Sequence, residues 1–212
     1  LSDWVDAADY TVYPLVYESP LFGDREQVTD PHDGVASPFG WHDTDGDVSA
    51  DFTDTRGNNC IAQHDHDGDD SNTSRPSGGA GLHFDFAIDL ADEPSTYTDA
   101  AVVNLFYWSN ILHDIFSRQG FDEAAGNFQT LNYSGAPGDG DALQADAQDG
   151  GSVNNASMAS PPDGESPRLT MHEWTHTSPR RDSSLDNSIV IHEFGHGISN
   201  RLCGGRTNSD AL

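Results

Sequence analysis

Lysine is absent from the sequence, and no apolar run approaches the roughly 20 residues that a membrane-spanning helix needs. The nine basic residues are all arginines, whereas Asp and Glu together number 36, so the formal net charge is −27. Proteins bind nucleic acid and anionic membranes through Lys and Arg side chains, which displace counterions from phosphate groups. The composition therefore predicts a protein with no nucleic-acid partner and no membrane partner.

Cysteine is also scarce, since Cys60 and Cys203 are the two in the chain. A structural zinc site takes four ligands, so two cysteines exclude a cysteine-only zinc cluster. The pair is compatible with one disulfide bond and equally with two free thiols. The 212 residues are enough to enclose a hydrophobic core, which excludes a small scaffold held together by disulfides alone.

The hydrophobic pattern divides the chain into two portions of a single domain over 1–212. Residues 1–95 combine short alternating runs with loops rich in Gly, Asp and Pro, which indicates mostly strands and loops. The alternation at 10–17 predicts an exposed edge strand that Pro14 interrupts. Residues 96–212 are expected to be helical.

The clearest helix signal lies between Thr98 and Gly120. Thr98 can serve as the N-cap, and Gly120 can end the helix in a left-handed conformation. Apolar residues recur at steps of three and four from Val102 to Phe116, so we expect one broad face of this helix to be buried.

The chemistry is indicated by the pentapeptide His-Glu-x-x-His, which occurs at 172–176 and again at 192–196. On a helix, residues four apart lie on the same face about 6 Å apart along the axis. Two imidazoles in that arrangement can bind one zinc ion, while the Glu between them reaches a water on the metal. The sequence context must decide between the two copies.

The context of the second copy predicts a helix. Ser184 or Asp186 can cap its start, and Gly204 can end it two turns after His196. The helical period places both histidines in one stripe beside an apolar stripe of Ile191, Phe194, Ile198 and Leu202. Glycine lowers helix propensity, so the pair Gly195 and Gly197 indicates a steric constraint near the metal.

The context of the first copy predicts a strand. Pro167 and Pro179 leave room for a short element, and Leu169 and Met171 alternate with polar residues. In a strand, residues four apart are separated by roughly 13 Å, which is too far to share a zinc ion. We therefore assign the metal to the second copy.

The run from 185 to 205 around the second copy resembles the signature of the fungalysin family of secreted metallopeptidases, relatives of thermolysin. Further stretches are similar and follow in the family's order, so the resemblance extends over 37–205: Ser37–Asp43, Thr55–Asn59, Asn104–Trp108, Asn154–Ala156 and Pro161–Gly164. It implies an α+β, thermolysin-like fold. A mostly β portion would precede two long helices, the second bearing the zinc ligands, and a C-terminal helical subdomain would be missing.

The same resemblance implies a role for each site residue. His192 and His196 would be zinc ligands, and Glu193 would take a proton from the zinc-bound water. Asn155 and Ala156 are similar to the family's edge-strand segment, which holds an extended substrate. The implied function is that of a zinc-dependent metalloendopeptidase acting on extracellular proteins, secreted and made as a precursor with an inhibitory propeptide.

The sequence departs from the family in one respect that bears on the metal. The family's third zinc ligand is a Glu some distance beyond the second His, and no Glu follows His196 here. We expect that ligand beyond residue 212, because the family spacing argues against Asp210. The chain would then be an incomplete catalytic domain with little turnover by itself.

Two other functions remain open from the residues alone. The acidic clusters at 43–47 and 65–70 could bind calcium in a non-catalytic extracellular module, or they could be solvated loops. The chain could also be a different zinc hydrolase with its third ligand upstream, among the early aspartates. His113, next to Asp114 on the first helix, is expected to be a hydrogen-bonded structural residue.

Overall fold

A computed structural model describes residues 7–47, 49–71 and 74–207. Two α-helices are present in this part of the chain, α1 (Thr98–Arg118) and α2 (Asn187–Gly204). The strands are β1 (Asp9–Val12), β2 (Glu26–Thr29), β3 (Cys60–His64), β4 (His83–Phe84), β5 (Leu143–Asp149), β6 (Ala156–Ala159), β7 (Arg168–Trp174) and β8 (Arg181–Asp182). The α+β class is therefore confirmed.

The strands form two sheets. The smaller sheet has the order β2-β1-β4, with β1 antiparallel to β2 and parallel to β4. The larger sheet has the order β3-β5-β7-β6, in which β3, β5 and β7 are parallel, β6 runs antiparallel to β7, and β8 also pairs with β7. The prediction of an edge strand at 10–17 is wrong, because β1 ends at Val12 and lies between two partners.

Helix α1 is the centre of the core. It packs against β1 of the smaller sheet, β3 and β5 of the larger sheet, and α2. All fifteen side chains of Ala100–Asp114 are consequently buried, so the prediction of a single buried face is too narrow. The predicted N-cap is also wrong: Tyr97 precedes the helix, and the Thr98 hydroxyl donates a hydrogen bond to Gln148 Oε1 at 2.8 Å.

The portion from 96 to 212 contains more strands than predicted. Four strands, β5 to β8, lie between the two helices, so the helical prediction is wrong for this stretch, although the strand predicted at the first pentapeptide is present as β7. Strand β5 carries polar residues that are nevertheless buried, because partners satisfy them: Asp146 accepts a hydrogen bond from Gln63, and Gln148 donates one to Asp182. A buried strand with this composition lacks the apolar run that would reveal it.

Two features of the described residues relate to the composition: the length and polarity of the helices, and the state of the two cysteines. Neither α1 nor α2 is long and apolar enough to cross a lipid bilayer. Cys60 is buried and Cys203 is exposed, and both are free thiols.

His42 lies in the core between the smaller sheet and α1, where two hydrogen bonds fix its tautomer. Nδ1 lies 2.9 Å from the backbone carbonyl oxygen of Arg56, so Nδ1 carries the proton and donates it. Nε2 therefore accepts the hydrogen bond from the Tyr10 hydroxyl at 2.7 Å. Burial lowers the pKa of His42 to about 4, although the bond to Arg56 acts in the opposite direction.

We expect this histidine to destabilise the protein in acid. The pKa of His42 is near 6.5 in the unfolded chain and about 4 in the folded one, so the unfolded chain gains the proton first as the pH falls below 6.5. Between pH 7 and pH 5 the free energy of unfolding should fall by about 2 kcal/mol more in the wild type than in His42→Gln. Urea unfolding at both pH values measures this difference, and equal losses would contradict it.

Candidate functional site

Hydrogen bonds to distant parts of the chain fix the start of α2. Asp186 caps the helix, since its side chain accepts a hydrogen bond from a backbone N–H of the first turn. The buried Asn187 amide donates to the backbone carbonyls of Tyr17 at 2.7 Å and Tyr13 at 3.3 Å. Its Oδ1 accepts a hydrogen bond from Asn104 of α1 at 3.0 Å. The first turn of α2 is therefore held against both α1 and the N-terminal strand region.

Arg201 holds the last turns of α2 from the other end. Its side chain is fully buried and pairs with Asp141 at 3.0 Å and Asp163 at 3.2 Å. The guanidinium also donates to three backbone carbonyls, those of Gly126, Pro161 and Glu165. These five acceptors come from three separate loop segments, so one side chain connects α2 to all of them.

The packed side of α2 differs from the predicted one. Phe194 and Ile198 are buried as expected, whereas Ile191 is 41% and Leu202 53% exposed. Residues at steps of four and three form the buried stripe instead, which fits the period of 3.6: Val190, Phe194, Gly197 and Arg201.

The two glycines of α2 have different surroundings. A Cβ at Gly197 would lie 2.5 Å from Met158 Cε and 3.0 Å from the Phe128 ring, so a side chain there would require both neighbours to shift. A Cβ at Gly195 would meet nothing within 4 Å. The prediction of a steric constraint near the metal is thus wrong, because the constraint acts at one glycine and comes from the core.

The two histidines of the second pentapeptide face each other on the exposed side of α2. Their Nε2 atoms are 3.1 Å apart, and the ring planes meet at 85°. Glu193, between them in sequence, is 8% exposed. Among the described residues, no third Asp, Glu, His or Cys side chain lies close enough to share an ion with both His192 and His196. Asp210 lies outside the described residues.

A cleft of about 340 Å³ separates α2 from β6. The helix contributes Glu193 and His192 to one wall, and the segment at the start of β6 contributes the other. Its full lining is Asn155, Ala156, Trp174, Ser188, Ile189, His192 and Glu193. The cleft therefore brings together the residues that the sequence predicted for metal binding, proton transfer and substrate binding, except His196.

Strand β6 has a free edge along this cleft, because it pairs on one side with β7 in the described sheet. The N–H of His172 on β7 donates to the Asn155 carbonyl. In an antiparallel pair, successive residues direct their backbone groups alternately toward the partner and away from it. The N–H and C=O of Ala156 therefore point to the free edge, while the Asn155 carbonyl is occupied by β7.

The first pentapeptide lies on and just beyond β7, as predicted. His172 is buried, and its Nδ1 lies 3.0 Å from the backbone oxygen of Asp149. His176 follows the end of the strand and is exposed. The two rings thus belong to different surroundings, one inside the sheet and one in a surface loop.

The sequence interpretation missed two residues that shape the site, Trp174 and Arg201. Trp174 belongs to the first pentapeptide, to which no function was assigned, yet it lines the cleft. Arg201 was missed because the predicted apolar stripe passes through Leu202 and leaves Arg201 outside it, whereas the observed buried stripe includes it. His113 is confirmed as a hydrogen-bonded structural residue, with Nδ1 3.0 Å from Asp114 and Nε2 bonded to Asn127.

Comparison with known proteins gives one consistent result. The family model described as fungalysin metallopeptidase (M36) matches residues 9–212. The chain is 44% identical over 215 residues to an extracellular metalloproteinase of Leptosphaeria maculans and 45% identical over 214 residues to one of Aspergillus fumigatus. A probable extracellular metalloproteinase 2 of Arthroderma benhamiae is 44% identical over 215 residues. Each match covers 99% of this chain and 33% of the relative, so the chain spans about a third of their length.

Proposed function

Because the chain belongs to the fungalysin metallopeptidase family, we propose that it supplies two metal ligands, the general base and the substrate strand of a secreted zinc endopeptidase. The observation that carries this proposal is the cleft in which His192 and Glu193 face the free edge of β6. Membership of the family implies a metal cofactor; that the metal is zinc, and that the substrates are extracellular proteins, belongs to the proposal.

The histidine pair fits a zinc ion. Two nitrogen ligands on a tetrahedral zinc, each about 2.0 to 2.1 Å from the metal, lie about 3.3 Å apart. The Nε2 atoms of His192 and His196 are 3.1 Å apart, so small rotations of the rings would complete this geometry. When bound, zinc would polarise the scissile carbonyl and make water a stronger acid.

Glu193 is the proposed general base. It follows His192 directly and lies on the same wall of the cleft, so its carboxylate would face a water held between the two side chains. The carboxylate would accept the proton of the attacking water and hold it for transfer to the amine that leaves. His192 is exposed and Glu193 is nearly buried, yet both line the cleft, so the proposed metal-binding and proton-accepting groups would act at the same place.

The free edge of β6 is the proposed binding strand for substrate. An extended peptide can pair with Ala156, whose N–H and C=O point away from β7. The Asn155 carbonyl is not available for this pairing, so its exposed side chain would make the contact that the family resemblance implies. A peptide on this edge would run along the cleft next to Glu193.

The rest of the site is proposed to lie in the remainder of the protein. A third zinc ligand, expected to be a glutamate, would follow residue 212, and an inhibitory propeptide would cover the cleft in the precursor. The relatives are about three times as long as this chain, which leaves room for both. The two alternative functions are not favoured, since the relatives are metalloproteinases and no described upstream carboxylate joins the histidine pair.

Metal analysis of the full-length protein tests the proposal. We expect one zinc per molecule in the wild type and less than about half of that in His192→Ala and in His196→Ala, since two ligands cannot hold the ion against dialysis. His176→Ala, in the first pentapeptide, is the matched control and should keep its zinc. Zinc retained in the first two variants, or lost in the third, would contradict the assignment.

A further inference from the structure

Three aspartates of the loop that follows β2 approach one another outside the cleft. Asp43, Asp45 and Asp51 each have a carboxylate oxygen within 4.8 Å of the corresponding oxygen of the other two. Asp43 is buried, with 1% of its surface exposed, whereas Asp45 and Asp51 are exposed. None of the ion pairs between described residues includes any of the three, so their negative charges are not balanced by Arg or His there.

One oxygen of Asp43 has no protein partner in the described part of the chain. Oδ1 accepts hydrogen bonds from the N–H of Gly46 at 2.9 Å and from the Tyr133 hydroxyl at 3.5 Å. Oδ2 is buried and accepts none. A buried carboxylate oxygen without a donor costs free energy, because burial removes the water that would otherwise solvate it.

The loop itself uses one oxygen of each carboxylate and leaves the second. Asp51 Oδ2 accepts the N–H and the hydroxyl of Thr44 at 2.7 and 2.6 Å. Asp45 Oδ1 accepts the N–H of Asp47 at 3.1 Å. Within the described part of the chain, these hydrogen bonds hold the three carboxylates in place without using Asp43 Oδ2, Asp45 Oδ2 or Asp51 Oδ1.

The negative charges of this cluster also favour a bound cation. Burial, followed in effect by the nearby charges of Asp51 and Asp45, raises the pKa of Asp43, although the hydrogen bond from Gly46 lowers it. The carboxylate is thus in an environment that penalises its charged form. A divalent cation at the free oxygens would remove both the repulsion and the missing bond.

We propose that Asp43, Asp45 and Asp51 bind a calcium ion. The ligand set is all oxygen, which suits Ca²⁺ and not the nitrogen-preferring zinc of the cleft. Two oxygens bound to one Ca²⁺ at 2.3 to 2.6 Å can be at most about 4.6 to 5.2 Å apart, so three oxygens within 4.8 Å of one another are close enough to share one ion. Calcium takes six to eight ligands, and the exposed side of Asp45 and Asp51 admits the waters that would complete the shell.

The other two acidic clusters of the described residues do not support the same inference. One joins Asp65 to the exposed Asp67 and Asp69, and the other joins Asp65, Asp70, Asp146 and Asp149. Both oxygens of Asp65 accept backbone N–H groups, and Asp146 bonds to Gln63 and pairs with Arg168. Neither cluster therefore contains a buried carboxylate oxygen without a partner, as Asp43 does.

Calcium binding to the full-length, zinc-loaded protein tests the proposal without relying on peptidase activity. In calcium-free buffer containing zinc, added Ca²⁺ should raise the melting temperature of the wild type. Asp43→Asn keeps the Oδ1 acceptor and loses the charge, so it should lower the Ca²⁺ affinity by about tenfold or more. Without calcium this variant should melt above the wild type, since the repulsion is relieved.

Two further variants make the result interpretable. Asp45→Asn retains the acceptor for the Asp47 N–H and should also weaken calcium binding; it serves if Asp43→Asn does not fold. Asp92→Asn removes an exposed charge elsewhere and should bind Ca²⁺ as the wild type does. Terbium luminescence, sensitised by Tyr133, should appear in the wild type, be displaced by Ca²⁺ and be lost in Asp43→Asn. Calcium responses that are absent from the wild type, or unchanged in both cluster variants, would overturn the proposal.

Discussion

Glu193→Gln is expected to lower kcat/KM of the full-length protein by about three to four orders of magnitude while leaving its zinc content unchanged. Glutamine has the shape of glutamate but cannot accept the proton of the attacking water. The side chain is 8% exposed and belongs to the wall of the cleft, so an isosteric replacement should preserve the packing of α2. Peptide hydrolysis and metal analysis of the same preparation measure both quantities.

The chain supplies a matched control for this substitution in its other pentapeptide. Like Glu193, Glu173 lies between a histidine and an aromatic residue in the sequence, but it belongs to β7 and its carboxylate pairs with Arg180 at 3.0 Å. Glu173→Gln should therefore retain activity to within about twofold, since a partly exposed ion pair contributes little to stability. A Glu193→Gln protein with more than a tenth of wild-type activity, or an equal loss in Glu173→Gln, would refute the role of Glu193.

The largest effect on stability is expected from Arg201→Met. Methionine fills much of the same space but cannot donate, so Asp141 and Asp163 lose their buried cation and three backbone carbonyls lose a donor. Removing one partner of a buried ion pair costs about 3 to 5 kcal/mol, because the remaining charge stays buried. Burial already raises the pKa of Asp141 against the opposing effect of Arg201, which indicates how unfavourable that carboxylate would become alone.

Urea unfolding with two companion variants separates the causes of this loss. Arg206→Met removes the other cation at Asp163, but the Arg206 side chain is 28% exposed, so we expect a loss of no more than about 1 kcal/mol. Combining Arg201→Met with Asp141→Asn should recover part of the stability by removing the unpaired charge. A loss below about 1 kcal/mol for Arg201→Met alone would show that the buried pair does not hold α2.

Local patterns were sufficient to predict the helix and the strand in which the two pentapeptides lie, α2 and β7. The cap at Asp186, the helical period and the final glycine defined α2 closely, because all three are interactions between residues near in sequence. The alternation around Leu169 identified β7 for the same reason. The roles assigned to His192 and Glu193 remain predictions, since the fold brings them to one cleft without testing what they do.

Tertiary contacts decided the features that the sequence did not reveal. The helical period of α1 predicts one buried face. Instead, the two sheets and α2 together bury every side chain from Ala100 to Asp114. The polar strand β5 is stabilised by partners such as Gln63, which lies 83 residues away from Asp146. In the last turns of α2, Arg201 is buried in place of Leu202, because loops that no local rule predicts supply its partners.

The hydrogen bonds from Asn187 to the backbone of Tyr13 and Tyr17 affect when the site forms during folding. These hydrogen bonds join residues 174 and 170 positions apart, so nearly the whole described chain must be in place before α2 is held at its first turn. Closing such a long loop is entropically costly and slow compared with forming a helix. During synthesis, His192 and Glu193 would therefore reach their position opposite β6 late, after the two ends of this region have met.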